Sequence, residues 1–218
     1  MKIEIKKIDI SDEVKYSTPI TIELFRSGDL WKIEVPDIIE IDELIHQLSI
    51  SDDLVNKYTE ILRAVLKSYN YKNVWENVKN RFICSSATQI NKSLILPSTI
   101  EISNDFSKYG IERKSWSGDC YRYRGFGTVI NNELISWCIE NTLYLGDGST
   151  EIGVQTDVNN RKNGYAVSNV VALCDYLIKN GVSTIYYECA LDNIASFRTA
   201  QKANLEYLGE VFYLVFEN

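Results

Sequence analysis

Between Gly125 and Phe216 the apolar positions switch between a period of two and a period near 3.6, and the order of those switches limits the fold more than any other property of this 218-residue chain. Gly127-Thr128-Val129-Ile130 and Glu133-Leu134-Ile135-Ser136-Trp137-Cys138-Ile139 are extended runs on either side of Asn131-Asn132. Asparagine tolerates the left-handed backbone of a tight turn, so this stretch reads as a hairpin. Gly146-Asp147-Gly148 marks a further turn before a third strand, Thr150 to Thr156. The period then changes: Ala166, Val167, Val170, Val171, Cys174, Leu177 and Ile178 follow helical spacing, and Gly181 is placed to end the helix after Lys179. Val182 to Leu191 is β-rich, Asp192-Asn193 offers an N-cap, Ile194 to Asn204 is a short helix, and Tyr207 to Phe216 is β-rich again. The order ββ, β, α, β, α, β predicts an α/β domain on a mixed sheet.

Ahead of residue 110 the pattern is of another kind. Ile3, Ile5, Ile8 and Ile10, then Ile20, Ile22, Leu24 and Ile33, indicate short period-two strands punctuated by Pro19 and Ser27-Gly28-Asp29. A helix is predicted from Leu54 to Tyr69, with Leu54, Tyr58, Leu62, Val65 and Tyr69 on one stripe and Ser51-Asp52-Asp53 at its start. A weaker helix is expected around Val74, Trp75, Val78 and Phe82, then a strand from Ser93 to Leu96 that Pro97 ends. With no repeat, low-complexity tract or Pro/Gly/Ser-rich linker, the change of pattern divides the chain into an α+β segment over 1–110 and an α/β domain over 111–218.

Charge and composition exclude several classes. Lys and Arg number 23 against 30 Asp and Glu, a net charge of −7, which opposes nucleic acid as partner. Five cysteines without CxxC spacing fit reduced thiols in a cytoplasmic protein, and no apolar run long enough for a membrane span occurs. His46 is the single histidine, in a helix-like stretch from Ile38 to Leu48, so an HExxH metal site is excluded and a surface or core-edge role is expected. Arg124-Gly125-Phe126-Gly127-Thr128-Val129, after Tyr121-Arg122-Tyr123, resembles an RNA-stacking strand, but the fifth position is Thr128 where a ring is required.

Chemistry concentrates where the third strand meets the helix, Thr156-Asp157-Val158-Asn159-Asn160-Arg161-Lys162-Asn163-Gly164-Tyr165-Ala166. Gly164 lets main chain approach a ligand. The N–H groups at the helix start, the dipole, and Arg161 with Lys162 make a site for phosphate oxygens. Neither a Walker lysine nor a GxGxxG is present.

Arg161-x-x-Gly164-x-Ala166 resembles the R/Q-x-x-G-x-G/A motif of the GNAT acetyltransferase superfamily, and the element order matches too. Asn193-Ile194-Ala195-Ser196-Phe197, followed by Lys202 and Asn204-Leu205, is similar to the superfamily's later N-x-x-S/A helix and its K-x-G-F ending. Glu151-x-Gly153-x-x-Thr156 resembles the zwittermicin-resistance-like subgroup. The resemblance covers roughly residues 125–218 and implies a GNAT-like mixed central sheet with flanking helices. It implies that the amides of Lys162, Asn163, Gly164, Tyr165 and Ala166 bind the pyrophosphate of acetyl-CoA, with Arg161 opening the loop. It further implies that backbone groups of Thr156 and Val158 pair with the pantetheine arm and that Asn193 hydrogen-bonds the same arm.

Two departures from the pattern stand out. The tyrosine many members carry seven residues after the asparagine, as acid for the CoA thiolate, is Ala200 here, so another donor or water must serve, with Ser196 and Cys189 as candidates. Asn204 replaces the glycine before the last strand. An alkylammonium, with pKa about 10, must lose a proton before attacking a thioester. Glu151 is the first choice of base, with Glu133 and Glu140 as runners-up. The expected activity is acetyl transfer to a primary amine of a small molecule, or of a protein, by a monomer or homodimer; the alternative is a catalytically weak CoA-binding or protein-interaction module.

Overall fold

A computed structural model describes residues 2–16, 19–49, 53–102, 124–141 and 148–217. They form two compact units, Met1–Asn80 with Gly209–Asn218, and Arg81–Leu208. The division falls at positions 80 and 208, because the last strand of the chain returns its residues from 209 onward to the first unit; residue 110 lies outside the described residues.

The first unit holds β1 (Lys2–Ile8), α1 (Ser11–Tyr16), β2 (Ile20–Ser27), β3 (Leu30–Pro36), α2 (Ile41–Ser49) and α3 (Leu54–Leu66). It also takes the first part of β4 (Lys72–Cys84) and most of β10 (Glu206–Glu217). Its strand order is β1-β3-β2-β10-β4, with β1 parallel to β3 and β2 antiparallel to both its neighbours. One face of this sheet, Ile22, Leu24, Ile33, Val35, Leu214 and Phe216, packs on the buried stripe Leu54, Tyr58, Leu62 and Leu66 of α3. Asp53 caps α3 by accepting from Asn56 N–H at 3.1 Å. His46 is an exposed residue of α2.

Two expectations for this region are corrected. Residues 74–82 belong to a thirteen-residue strand and not to a helix. Asn80, Phe82 and Cys84 are buried at alternate positions, and the polar Asn80 hides that period of two from a reading by hydrophobicity. Residues 93–96 are not a strand: Asn91 accepts from Ser93 N–H and starts a 3₁₀ turn over Lys92–Leu94, the local competition an asparagine offers to a sheet ladder.

The second unit contains the end of β4, then β5 (Thr99–Glu101), β6 (Gly125–Ile130), β7 (Glu133–Glu140) and β8 (Ser149–Thr156). There follow α4 (Tyr165–Lys179), β9 (Thr184–Ala190) and α5 (Ile194–Lys202). The strand order is β4-β9-β8-β7-β6-β5, antiparallel from β5 to β8 and parallel between β8 and β9. The hairpin turn is where the sequence places it, with Asn131 and Asn132 at φ 52° and 67°. Phe82, Cys138, Ile152, Tyr187 and Cys189 on one face of the sheet share a core with Val170, Leu173, Cys174 and Leu177 of α4 and Ala200 of α5. Burial pushes the Cys138 thiol up, and a hydrogen bond to Cys84 together with burial raises Cys174, so both stay protonated packing groups. Cys120 lies outside the described residues, and Cys84, Cys138, Cys174 and Cys189 are buried and unbridged.

Candidate functional site

β8 and β9 pair only from Ser149↔Thr184 to Ile152↔Tyr187, although β8 continues to Thr156 and β9 to Ala190. The carboxyl ends of parallel strands joined by a crossover helix are where open α/β sheets place ligands. Strand parity decides which main-chain groups line the wedge that opens there. Asn141 N–H donates to the Glu151 carbonyl at 2.9 Å and Asp157 N–H to the Ile135 carbonyl at 2.8 Å, so the odd-numbered residues of β8 turn their polar groups toward β7. Val154 and Thr156 therefore turn N–H and C=O the other way, into the wedge. Arg161 Nε meets the Thr156 carbonyl at 3.3 Å.

The chain leaving β8 is shaped by its own polar side chains. Asp157 accepts from Asn159 N–H at 3.0 Å and starts a 3₁₀ turn over Val158–Asn160. Asn163 Nδ2 donates to the Asn160 carbonyl at 3.2 Å. Lys162 and Gly164 take left-handed backbone, φ 68° and 83°, the kind of conformation from which anion-binding concavities of successive N–H groups are built. No side chain caps α4: Gly164 stands at the cap, and its carbonyl accepts from Ser168 N–H at 3.0 Å. The N–H groups of Gly164, Tyr165, Ala166 and Val167 thus have no acceptor within the helix. A Cβ built on Gly164 would meet only Leu96 Cδ1, at 4.0 Å, so the surface above the helix start is open.

On the β9 side, Asn193 caps α5 by accepting from Ser196 N–H at 3.1 Å. Ser196 Oγ lies 2.6 Å from the hydroxyl of Tyr187, whose phenol is pushed up by burial and stays protonated. Ala200 is fully buried in the core and Cys189 is buried on the helix-facing side. Three apolar residues beyond the strand ends are exposed: Val158 at 68%, Leu191 at 44% and Ile194 at 54%.

Glu151 is half-buried on the opposite face of the sheet, in register with Tyr186. Glu188, two residues further along β9 on that same face, is paired with Arg81 at 2.7 Å, and the Arg81 guanidinium lies 5.3 Å from the centre of the Tyr186 ring. A Cβ on Gly153 would strike the Asn141 side chain, so Asn141 covers Gly153 on this face. Glu140 is corrected as a runner-up base: it faces the helices, 2% exposed, in a two-point ion pair with Arg124 at 2.7 and 2.5 Å. Glu133 is exposed beside the hairpin turn. Phe126 packs on Tyr176 and Thr128 is buried under α4; Tyr121 to Tyr123, in the same RNA-like stretch, lie outside the described residues.

The structure thus brings Thr156, Arg161, Lys162, Asn163, Gly164, Tyr165 and Ala166 into one continuous segment at the end of β8, with Asn193 and Ser196 at the start of the helix that follows β9. Val158 sits in the 3₁₀ turn beyond the strand, not on it. Val154, which the sequence reading passes over, shares the parity of Thr156. Glu188, Arg81 and Tyr187 are also missed, because their significance depends on which strands become neighbours.

Comparison with known proteins places the fold. A protein from Novosphingobium aromaticivorans assigned to the GNAT family of acetyltransferases superposes with a TM-score of 0.53 at 13% identity, covering 68% of this chain and 67% of that one. A GCN5-related N-acetyltransferase-like protein from Streptococcus suis gives a TM-score of 0.50 at 13% identity, over 85% of this chain and 70% of that one. The fold is therefore the GNAT fold, a central, mostly antiparallel sheet flanked by helices. No protein-family model matches the sequence, and no curated protein matches it.

Proposed function

We propose that the second unit binds acetyl-CoA in the wedge between β8 and β9 and moves the acetyl group to a primary amine of a small molecule, or of a protein. One observation carries this reading: a single strand end offers both the outward-facing main-chain groups of Val154 and Thr156 and the uncapped start of α4. An extended, amide-bearing arm can add to such an edge as a strand does, and a pyrophosphate suits the helix N–H groups and dipole. The amides of Lys162, Asn163, Gly164, Tyr165 and Ala166 take the phosphate oxygens, with Arg161 and Lys162 adding positive charge. Val158 lends an exposed apolar side chain at the mouth, and Asn193 reaches the arm from α5.

Acetyl-CoA supplies the activated acyl thioester. Glu151 takes the proton the attacking amine must lose, a step worth about 10²- to 10⁴-fold in rate. Ser196, held by Tyr187, offers a hydrogen bond to the departing sulfur where Ala200 offers none, and the proton that Glu151 takes from the amine reaches the thiolate through solvent, which restores both groups. The Glu151-x-Gly153-x-x-Thr156 strand supports assignment to the zwittermicin-resistance-like subgroup. The same reading describes a cytoplasmic enzyme, monomeric or homodimeric. Among the described residues no helix is long and apolar enough to cross a membrane, and no group of three or more His, Cys, Asp or Glu is arranged to hold a metal ion.

Incubation with acetyl-CoA and a panel of primary amines, following release of free thiol, tests the activity. Thiol released with at least one amine supports it. The buried Ala200 favours a second reading, a CoA-binding module without turnover, which would show thermal stabilisation by acetyl-CoA and no thiol from any amine.

A further inference from the structure

Beneath the wedge a chain of hydrogen-bonded polar side chains runs from the sheet into α4. Thr128, Ser136 and Asn169 are all fully buried, on β6, β7 and α4 respectively. Thr128 Oγ1 donates to Asn169 Oδ1 at 3.2 Å, and Asn169 Nδ2 donates to Ser136 Oγ at 3.1 Å. Ser136 Oγ donates to the Gln155 carbonyl at 3.1 Å and lies 2.7 Å from Thr156 Oγ1. Donor counting fixes the directions. The one hydrogen of Ser136 goes to Gln155, so the Thr156 hydroxyl donates to Ser136, whose oxygen then accepts from both Thr156 and Asn169. Each side-chain polar atom of the chain has at least one hydrogen-bond partner, and satisfied buried polar groups rigidify a site instead of weakening it.

The chain ends on the two peptide units that flank Thr156. With the Gln155 carbonyl held toward Ser136 and Asp157 N–H held on Ile135, the N–H and C=O of Thr156 are both turned into the wedge. The other end of the chain is Asn169, one turn into α4 from the N–H groups of Tyr165 and Ala166. Its neighbour Ser168, also fully buried, accepts from Leu96 N–H at 2.8 Å and meets Thr99 Oγ1 at 2.5 Å. The strand edge and the helix start are therefore fastened to one network before any ligand arrives.

We propose that Asn169 and the side chain of Thr156, acting through Ser136, are positioning residues that hold the wedge in its ligand-ready form. The inference rests on the CoA reading of that wedge. A cleft preset in this way does not have to order its groups on binding, and loss of the network shows as weaker binding of a ligand that touches neither Asn169 nor Ser136.

Titration calorimetry with CoA, on wild type, Thr156→Val, Asn169→Leu, the double variant and Thr156→Ser, tests it, with the melting temperature of each unliganded protein recorded alongside. Thr156→Val keeps the side-chain shape without the hydroxyl. Each single substitution is expected to weaken CoA about tenfold, or about 1.4 kcal/mol. The double variant is expected to fall little further, because the two act as one unit. Thr156→Ser is expected to bind within about twofold of wild type. Binding by both single variants within that margin, or full additivity in the double, overturns the proposal even if melting temperatures fall. Should Asn169→Leu not fold, the Thr156→Val and Thr156→Ser pair decides the matter. A wild type that shows no CoA binding removes the cofactor reading itself, a result distinct from bound wild type with unaffected variants, and the inference falls with it.

Discussion

Gly164 is where backbone conformation meets the proposed phosphate site. Its φ of 83° disfavours any side chain, and the space above its Cα is open. Gly164→Ala is expected to cost about 1 kcal/mol in the unliganded protein, through conformation alone. The larger effect falls on the ligand, since the new methyl projects into the volume a phosphate would fill. Calorimetry with acetyl-CoA should show affinity reduced at least tenfold for Gly164→Ala and only a few-fold for Lys162→Ala, because the proposed binding there is by main chain. Equal losses for the two would mean that side-chain charge, not the amides, holds the phosphates. Glu151 makes a separate claim at the same scale. Glu151→Gln keeps shape and polarity but takes up no proton at neutral pH, so turnover should fall about 100-fold and the acidic limb of the rate profile should disappear. Unchanged turnover and an unchanged profile would remove Glu151 from the mechanism.

At the scale of elements, α4 is held through its polar side chains as well as its apolar face. Asp175 accepts from Lys179 at 2.6 Å and pairs with Lys92 at 3.0 Å, which ties the helix to the preceding 3₁₀ turn. Burial pushes this carboxyl up, but the hydrogen bonds from the two lysines outweigh it and hold the group below the usual carboxylate range. A folded-state pKa below the unfolded value of about 4 means the contribution is complete above that pH and is lost as pH falls further. Asp175→Asn should therefore lower the melting temperature slightly at pH 7 and by less near pH 2, because lysine heads this exposed contribute modestly. An equal loss at both pH values would point to packing instead of charge.

Elements also show what a sequence can and cannot display. From Gly125 onward each strand and helix was legible, since period, Asn-Asn turn, Asn193 cap and Gly181 stop are all local signals. β4 was not, because Val74, Trp75, Val78 and Phe82 happen to fit helical spacing while its buried alternation runs through a polar Asn80. The wedge was legible only as a loop. That β8 and β9 part after Ile152 and Tyr187 is a matter of pairing between residues 35 apart in sequence. Glu188 and Tyr187 read as ordinary strand residues until Arg81 and Ser196 are seen against them.

At the scale of the whole molecule, the proposed binding of a polyanion by a chain of net charge −7 would rest on the main-chain groups at the end of β8. Main-chain N–H groups carry no counter-charge and cost the surface no clustered cations, so global acidity and local phosphate binding coexist. The first unit has its own core, centred on Tyr58, Leu24 and Ile33, and contributes none of the proposed ligand-binding residues. The most direct test of the central claim is thermal unfolding of the full chain with increasing acetyl-CoA. At about one hundred times a micromolar dissociation constant the account predicts roughly 2.7 kcal/mol of stabilisation, a rise of several degrees that grows with the logarithm of concentration. A melting temperature that stays fixed up to millimolar acetyl-CoA and CoA would contradict it.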